Sequence, residues 1–128
     1  MVERTTEENK KFQRGVALFN AREYFEAHEV WEELWLPASG DERAFLQGLI
    51  QVAAAFHHYG RGNVLGMRSL LAAGLTKLDG LADVHWGIDV TKLREDAREW
   101  VGREDQAHGW PQIRWAGSAG SRTAERGD

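Results

Sequence analysis

A histidine and a glutamate lie four residues apart in the segment HEVWEELW, as His28 and Glu32. At this spacing in an α-helix the two side chains share one face, so the imidazole and the carboxylate can share a proton or chelate one cation. On a helical wheel at about 100° per residue, Tyr24, Trp31 and Trp35 fall within about 60° of His28. His28 and Glu32 are therefore the candidate catalytic residues of the chain.

Glu32 is the acidic residue of this helix that falls inside the aromatic arc, whereas the other glutamates fall where solvation explains them. An ionised carboxylate among aromatic rings must be paired or change its protonation state, because unpaired burial costs several kcal/mol or more. His28 is the nearest partner, one helical turn away. We therefore expect a buried pair in which truncation of His28 costs about 3–5 kcal/mol.

The next helix carries a polar stripe on an almost uncharged surface. Gln51 and His58 fall within about 40° of Gln47 on the wheel. In antiparallel packing this stripe is expected to face the arc of His28 and Glu32. The predicted ligand pocket therefore comprises Tyr24, Trp31, Trp35, Gln47, Gln51 and His58.

A metal centre is a further hypothesis for the same site. His28, Glu32 and His58 could bind a divalent cation, with water completing the coordination shell. The established metal patterns do not fit, because a zincin needs a second histidine where the chain has Glu32, and Glu-x-x-His does not occur. The site requires no cation or other cofactor, and none is specified by the sequence.

A structural pair is the competing interpretation of His28 and Glu32, because structural ion pairs perturb protonation as readily as catalytic ones do. The chain would then be a non-catalytic interaction domain. Residues 21–34 resemble a tetratricopeptide hairpin, and the apolar third helix would bury against another chain, most simply a second copy. If the chain is instead an enzyme, hydrolysis needs the least, namely water and a carboxylate base. Both interpretations stay open at this point.

Apolar spacings of three and four residues recur from Phe12 to Val101, without alternation typical of strands. The fold class is all-α, a compact bundle of about five mostly antiparallel helices over residues 1–103. The helices are expected to begin at Thr5 or Thr6 and then to cover about 22–35, 42–59, 63–81 and 90–103. Residues 104–128 form a tail, of which the tryptophans should hold the part up to about residue 115 against the bundle and the rest should be loose.

Composition narrows the function classes. The 128 residues carry 16 Lys and Arg against 20 Asp and Glu, a net charge of −4, so nucleic acid is not an expected partner. Zero cysteines exclude disulfides and thiolate chemistry and suit a cytoplasmic location. The charged amino terminus lacks the apolar stretch of a signal peptide, and no uncharged run is long enough to span a membrane. The expected partners are a small molecule or a second copy of the chain.

The residues H-x-x-x-E-x-x-W, from His28 through Glu32 to Trp35, resemble the signature of the bacterial and archaeal family called domain of unknown function 309. Phe19-Asn20, the segment FLQGLIQ from Phe45 and Gly62-Asn63 with Gly66 resemble the flanking segments of that family. The likeness covers about 12–81. It implies a compact all-helical domain and no particular chemistry, since the function of the family is not established.

Overall fold

The computed structural model describes residues 4–104 and 109–117. Five helices pack in chain order, each against the next, and confirm the predicted all-helical bundle. They are α1 (Thr6–Asn20), α2 (Tyr24–Trp35), α3 (Gly40–Gly60), α4 (Val64–Asp79) and α5 (Val90–Arg98). No helix in this part of the chain has both the length and the apolar composition needed to cross a membrane.

Polar side chains begin the helices where the sequence predicts them. The Thr5 hydroxyl accepts the Glu8 N–H at 3.0 Å, while the Glu8 carboxylate accepts the Thr5 N–H at 2.8 Å. This reciprocal capping box satisfies two donors that the first turn of α1 leaves free. Asn63 caps α4 by accepting the Gly66 N–H at 2.9 Å. Both caps confirm the starts of their helices.

The turns α1–α2 and α3–α4 have the same hydrogen bonds. Glu23 donates its backbone N–H to the carbonyl five residues earlier at 2.8 Å, and Asn63 does the same at 2.9 Å. These bonds define a Schellman motif, in which the residue before the donor adopts a left-handed conformation. That residue is Gly62 (φ 82°) in one turn and Arg22 (φ 65°) in the other. The α1–α2 turn therefore holds an arginine in a left-handed conformation, which glycine adopts at a lower steric cost.

Helix α3 lies at the centre of the bundle, between α2 and α4. At Gly74 on α4, a Cβ atom would lie 3.0 Å from the Gly48 carbonyl oxygen, so two glycines allow α3 and α4 to approach closely. The expectation that the apolar third helix buries against another chain stays a prediction, and the helix does not need such burial to cover its apolar residues. Its apolar residues are covered within this chain, because α2 and α4 pack on opposite sides of it.

A short hairpin that the sequence did not predict joins α4 to α5. Strands β1 (Val84–His85) and β2 (Ile88–Asp89) pair antiparallel around Trp86 and Gly87, both with positive φ (53° and 81°). Such a turn favours Asn-Gly or Gly-Gly, and a tryptophan at its first position hides the signal. Helix α5 also ends at Arg98, earlier than the expected residue 103.

Residues 109–117, here called the strap, lie back across the bundle. Asn20 at the end of α1 holds the strap with two hydrogen bonds, since its side chain accepts the Ile113 N–H at 2.8 Å and donates to the Ile113 carbonyl at 2.9 Å. Trp115 pairs with Ile88 in a β-bridge. The loose end expected after residue 115 falls mostly on residues 118–128, which lie outside the described residues.

Glu104 fixes the end of the helical part of the chain. Its side chain is 8 % exposed, bonds Arg68 of α4 at 3.2 Å and accepts the Gly102 N–H at 3.0 Å. The hydrogen bond from Arg68 holds the pKa of this carboxyl below its ordinary value of 4.5. A lowered folded-state pKa adds stability above the unfolded-state pKa, and that stability is lost as the pH falls through the folded-state value.

Gly15→Ala is expected to destabilise the protein, because a Cβ atom there would overlap with the indole of Trp31. We expect a loss of about 1–3 kcal/mol in the free energy of unfolding, in spite of the better helix propensity of alanine. Urea denaturation measures it. Gly80→Ala is the control, since nothing lies within 4 Å of its added Cβ. Equal effects of the two substitutions would contradict the close contact of Gly15 with Trp31.

Glu104→Gln should lower the free energy of unfolding at neutral pH and lose this effect in acid. The difference from the unmodified chain is expected to be complete above pH 4.5, the ordinary value, and to shrink below it as the carboxyl protonates. Urea unfolding from neutral pH to about pH 3 tests this. Glu99→Gln, at an exposed position, is the matched control. A difference that does not change with pH would refute the role of the Arg68 bond.

Candidate functional site

His28 and Glu32 form the predicted pair, but the pair lies at the surface. The distance from His28 Nε2 to Glu32 Oε2 is 3.5 Å, and the side chains are 25 % and 49 % exposed. The expectation of a carboxylate buried among indole rings is therefore corrected. The buried residues of α2 are Tyr24, Ala27, Trp31 and Leu34. Glu32 lies about 120° from the middle of that arc. The wheel centred on His28 placed the middle of the buried face too close to Glu32.

The tryptophans of the predicted pocket have different surroundings. Trp31 is fully buried and donates its indole N–H to the Phe12 carbonyl at 3.4 Å, so it fills the core and is no pocket wall. Trp35 is half-buried beneath the Arg43 guanidinium, 3.8 Å from the ring centroid. Arg43 also donates to the Trp35 carbonyl at 3.0 Å. These contacts of Arg43 lie at the carboxyl end of α2 and cover one face of the Trp35 ring. They identify no ligand for Trp35.

The polar stripe of α3 does not gather around Glu32. Gln51 accepts a hydrogen bond from Lys77 of α4 at 3.5 Å, and no hydrogen bond within the described ranges joins Glu32 to Gln47 or Gln51. Gln47 is half-buried. The stripe is therefore divided between the two neighbours of α3, because a central helix turns its sides to both. A binding role for these two glutamines stays a prediction.

A small cavity does bring His28 and His58 together. Its volume is about 120 Å³, and it is lined by Phe25, His28, Ala54, His57 and His58. We call it the histidine cavity. His28 Nδ1 is buried and has no hydrogen-bond partner in the part of the chain that the structure describes. Sequence reasoning assigned His57 to packing and missed its place beside the other two imidazoles.

Asn63, which caps α4, also makes a hydrogen bond with the ring of His58. Asn63 Oδ1 accepts the Gly66 N–H, so its amide nitrogen faces His58 Nδ1, at 3.1 Å. Nδ1 then accepts this bond, and the neutral ring carries its proton on Nε2. A metal at Nε2 would need the other tautomer, whose Nδ1–H would face the hydrogens of the Asn63 amide. Among the residues described, no three His, Asp or Glu side chains are arranged to hold a metal ion. The set of His28, Glu32 and His58 stays a prediction.

A larger concavity lies at the end of the bundle, where the α1–α2 and α3–α4 turns meet the strap. Its volume is about 680 Å³, and its main lining residues are Arg22, Tyr24, Phe25, Phe56, Arg61 and Trp110. We call it the end groove. Phe25 and His57, with ring centroids 5.3 Å apart, line both this groove and the histidine cavity. The two concavities are therefore neighbours divided by one ring pair.

Tyr24, predicted to line a pocket, is part of the end groove. It is 6 % exposed, and its hydroxyl has no hydrogen-bond partner among the described residues. Burial raises the pKa of Tyr24 to about 12, against a smaller opposite effect of the Arg22 charge. At neutral pH the buried hydroxyl therefore keeps its proton.

Arg22, Phe56 and Trp110 are groove residues that sequence reasoning missed. Trp110 was expected to fold back on the bundle, but nothing in the sequence shows which helices it meets. It stacks on Trp100 at 5.1 Å and lies below the Arg22 guanidinium, 5.2 Å from the ring centroid. An arginine at the end of α1, where a Schellman turn favours glycine, is the signal that could have been noticed.

Comparisons with known proteins agree with the resemblance noted from the sequence. A family model described as "Domain of unknown function (DUF309)" matches residues 12–70. The uncharacterized protein YpuF of Bacillus subtilis is 40 % identical over 77 residues, which cover 58 % of this chain and 44 % of that protein. An uncharacterized protein of Aquifex aeolicus is 26 % identical over 88 residues, covering 68 % and 26 %. This chain therefore spans less than half the length of these curated relatives.

A solved structure supports the fold. The crystal structure of the conserved hypothetical protein TTHA0068 from Thermus thermophilus is similar with a TM-score of 0.63 and 39 % sequence identity. The match covers 70 % of this chain and 94 % of that one. None of these names assigns an activity.

Glu32→Gln is expected to change the free energy of unfolding by less than about 1 kcal/mol, because exposed i,i+4 pairs contribute about 0.3–0.5 kcal/mol. Urea denaturation at neutral pH measures the change. Glu33→Gln is the control, since Glu33 forms a comparable exposed pair with Lys11 at 3.1 Å. A loss of about 3 kcal/mol or more for Glu32→Gln alone would restore the buried pair expected from the sequence.

Proposed function

Since the chain belongs to the DUF309 family, described as a domain of unknown function, we propose that it is a binding domain for a small planar molecule, held in the end groove. The description of the family assigns no activity, so the proposal concerns this chain alone. We also infer a cytoplasmic location from the absence of cysteine in the sequence.

One observation carries the proposal, namely a concavity of ligand size walled by aromatic rings. Binding sites for small molecules usually have volumes of about 300–1,000 Å³, apolar and aromatic walls and a few polar groups. The end groove has about 680 Å³, the rings of Tyr24, Phe25, Phe56 and Trp110, and two arginines. The histidine cavity, about 120 Å³, is too small for more than a minor part of such a ligand.

The interaction domain has less support. The exposed large apolar side chains outside the groove, such as Leu36, Leu65 and Val101, belong to different elements. Scattered apolar residues are normal on a monomer, whereas an interface needs a contiguous patch. A homo-oligomer therefore stays the alternative proposal, and no specific observation favours it over the groove.

Gly60→Leu should block the groove without disturbing the fold. Gly60 lines the groove, and nothing lies within 4 Å of an added Cβ. We expect its affinity for a planar probe, naphthalene-2-carboxylate, to fall about tenfold or more, a loss of about 1.4 kcal/mol. Titration of ¹⁵N-labelled protein, followed by amide shifts, measures both the affinity and the place of binding.

Gly80→Leu is the matched control, because Gly80 has the same open surroundings and lies outside the groove. Its affinity should equal that of the unmodified chain. Saturable shifts around the groove that Gly60→Leu weakens and Gly80→Leu does not would support the proposal. Absence of saturable shifts with both this acid and its neutral carboxamide, at millimolar concentration, would overturn it.

A further inference from the structure

Asn20 binds the strap through the strap's backbone. Its side chain accepts the Ile113 N–H at 2.8 Å and donates to the Ile113 carbonyl at 2.9 Å, so one carboxamide satisfies both polar groups of one residue. Because these bonds go to main-chain atoms, they would form with any residue that has a backbone N–H. Asn20 therefore holds an extended chain without selecting its sequence.

The hairpin that joins α4 to α5 extends the same contact. Its Asp89 N–H donates to the Arg114 carbonyl, and its Gly87 carbonyl accepts the Ala116 N–H, both at 2.8 Å. The strap thus pairs with the hairpin as a further antiparallel segment. Addition of a strand to an exposed sheet edge is a common way for a domain to bind an extended peptide.

The side chains of the strap fit the bundle in a definite pattern. Pro111 and Ile113 are buried, whereas Gln112 is half-buried and Arg114 is exposed. This alternation is typical of an extended chain with one face bound. Trp110 begins the bound segment among the rings at the end of the bundle. The pattern that fits is therefore tryptophan, proline, any residue and an aliphatic residue.

The binding residue and its occupant differ in their relation to the family. Asn20 lies within residues 12–70, which the family model matches, whereas the strap lies outside them. The residue that holds the peptide backbone thus belongs to the helical part that defines the family. The peptide that it holds in this chain does not.

We infer that the surface beneath the strap is a binding site for an extended segment of a partner protein with the pattern Trp-Pro-x-aliphatic, and that the strap occupies this site until the partner displaces it. Such a site needs no exposed apolar patch on the free chain, because the strap covers it. The inference does not rest on the proposed function, since Asn20, Gly87 and Asp89 are not lining residues of the end groove.

The covalent connection gives the strap an advantage over a free segment. A segment of the same chain acts at an effective concentration in the millimolar range, so a free peptide of equal affinity competes poorly. Variants with a weaker strap and an unchanged site remove this advantage. Ile113→Ala shortens the buried aliphatic side chain, and Ala116→Pro removes the N–H that bonds Gly87 at an exposed position.

The probe is a synthetic peptide of residues 109–117, titrated into the ¹⁵N-labelled full chain. We expect the Ile113→Ala and Ala116→Pro chains to bind it at least about tenfold more tightly than the unmodified chain does. The amide shifts should lie around Asn20 and Asp89. The same peptide with Ile113→Ala should bind about tenfold more weakly, because it lacks most of the buried side chain.

Asn20→Ala tests whether the peptide binds beneath the strap. Combined with Ile113→Ala in the chain, it should reduce the affinity for the peptide about tenfold, because it removes both bonds to the peptide backbone. Asn9→Ala in the same background is the matched control, since Asn9 is an exposed residue of the same helix whose side chain bonds Arg4. It should leave the affinity unchanged.

Saturable binding that depends on Asn20 would support the inference. The inference fails if neither weakened chain binds the peptide at millimolar concentration, or if Asn20→Ala leaves the affinity as it was. Concentration-dependent dimers of the unmodified chain that Ile113→Ala abolishes, measured by light scattering, would make a second copy the occupant and overturn a separate partner.

Amide hydrogen exchange on the unmodified chain is a second test that needs no variant. The Ile113 N–H should exchange at least about tenfold faster than the N–H groups in the middle of α3, because the strap opens while the helices stay folded. Equal protection of the two would show that the strap leaves only when the whole chain unfolds. Displacement by a partner would then be overturned.

Discussion

The contact of Trp31 with α1 determines how α2 is rotated in the bundle. The indole lies against Gly15, where no side chain intervenes, donates to the Phe12 carbonyl and has the rings of Phe12 and Phe19 at 6.3 and 6.0 Å. Because the helix is rigid, this one buried ring places every other side chain of α2. Glu32, one residue on, is turned about 100° away from Trp31, and the end of the helix at Tyr24 and Phe25 is turned into the end groove.

The same rotation explains why the conspicuous residues of the sequence and the conspicuous concavity of the structure differ. His28 and Glu32 are at the edge of the α2–α3 contact, where an imidazole is partly covered and a carboxylate reaches water. The groove needs parts that no single helix carries, namely two turns from one end of the bundle and the strap. Asn20 joins these parts, since it lies before the α1–α2 turn and holds Ile113.

Much of the fold could be predicted from the sequence, and less of the site. Capping by Thr5 and Asn63 is a local interaction, so the helix starts were visible in the sequence. The inward arc of α2 could not be found by centring a wheel on His28, because the depth of each residue depends on α1 and α3. The hairpin was missed because Trp86 occupies a turn position that rarely holds a bulky residue. The meeting of Phe25 with His57 needs the pairing of two helices.

Some residues that line the end groove lie within the part of the chain that the family model covers, and others lie outside it. Arg22, Tyr24 and Phe56 lie within residues 12–70, whereas Trp110 lies outside that range. Trp110 packs on the rings of Phe56 and Trp100, and Asn20 holds Ile113 three residues further on, so the wall depends both on aromatic packing and on this polar contact. The rings of Tyr24 and Phe56 are thus built into the helices, and the ring of Trp110 is added by the strap. A change in the strap would therefore alter the shape of the end groove without altering the wall that the helices contribute.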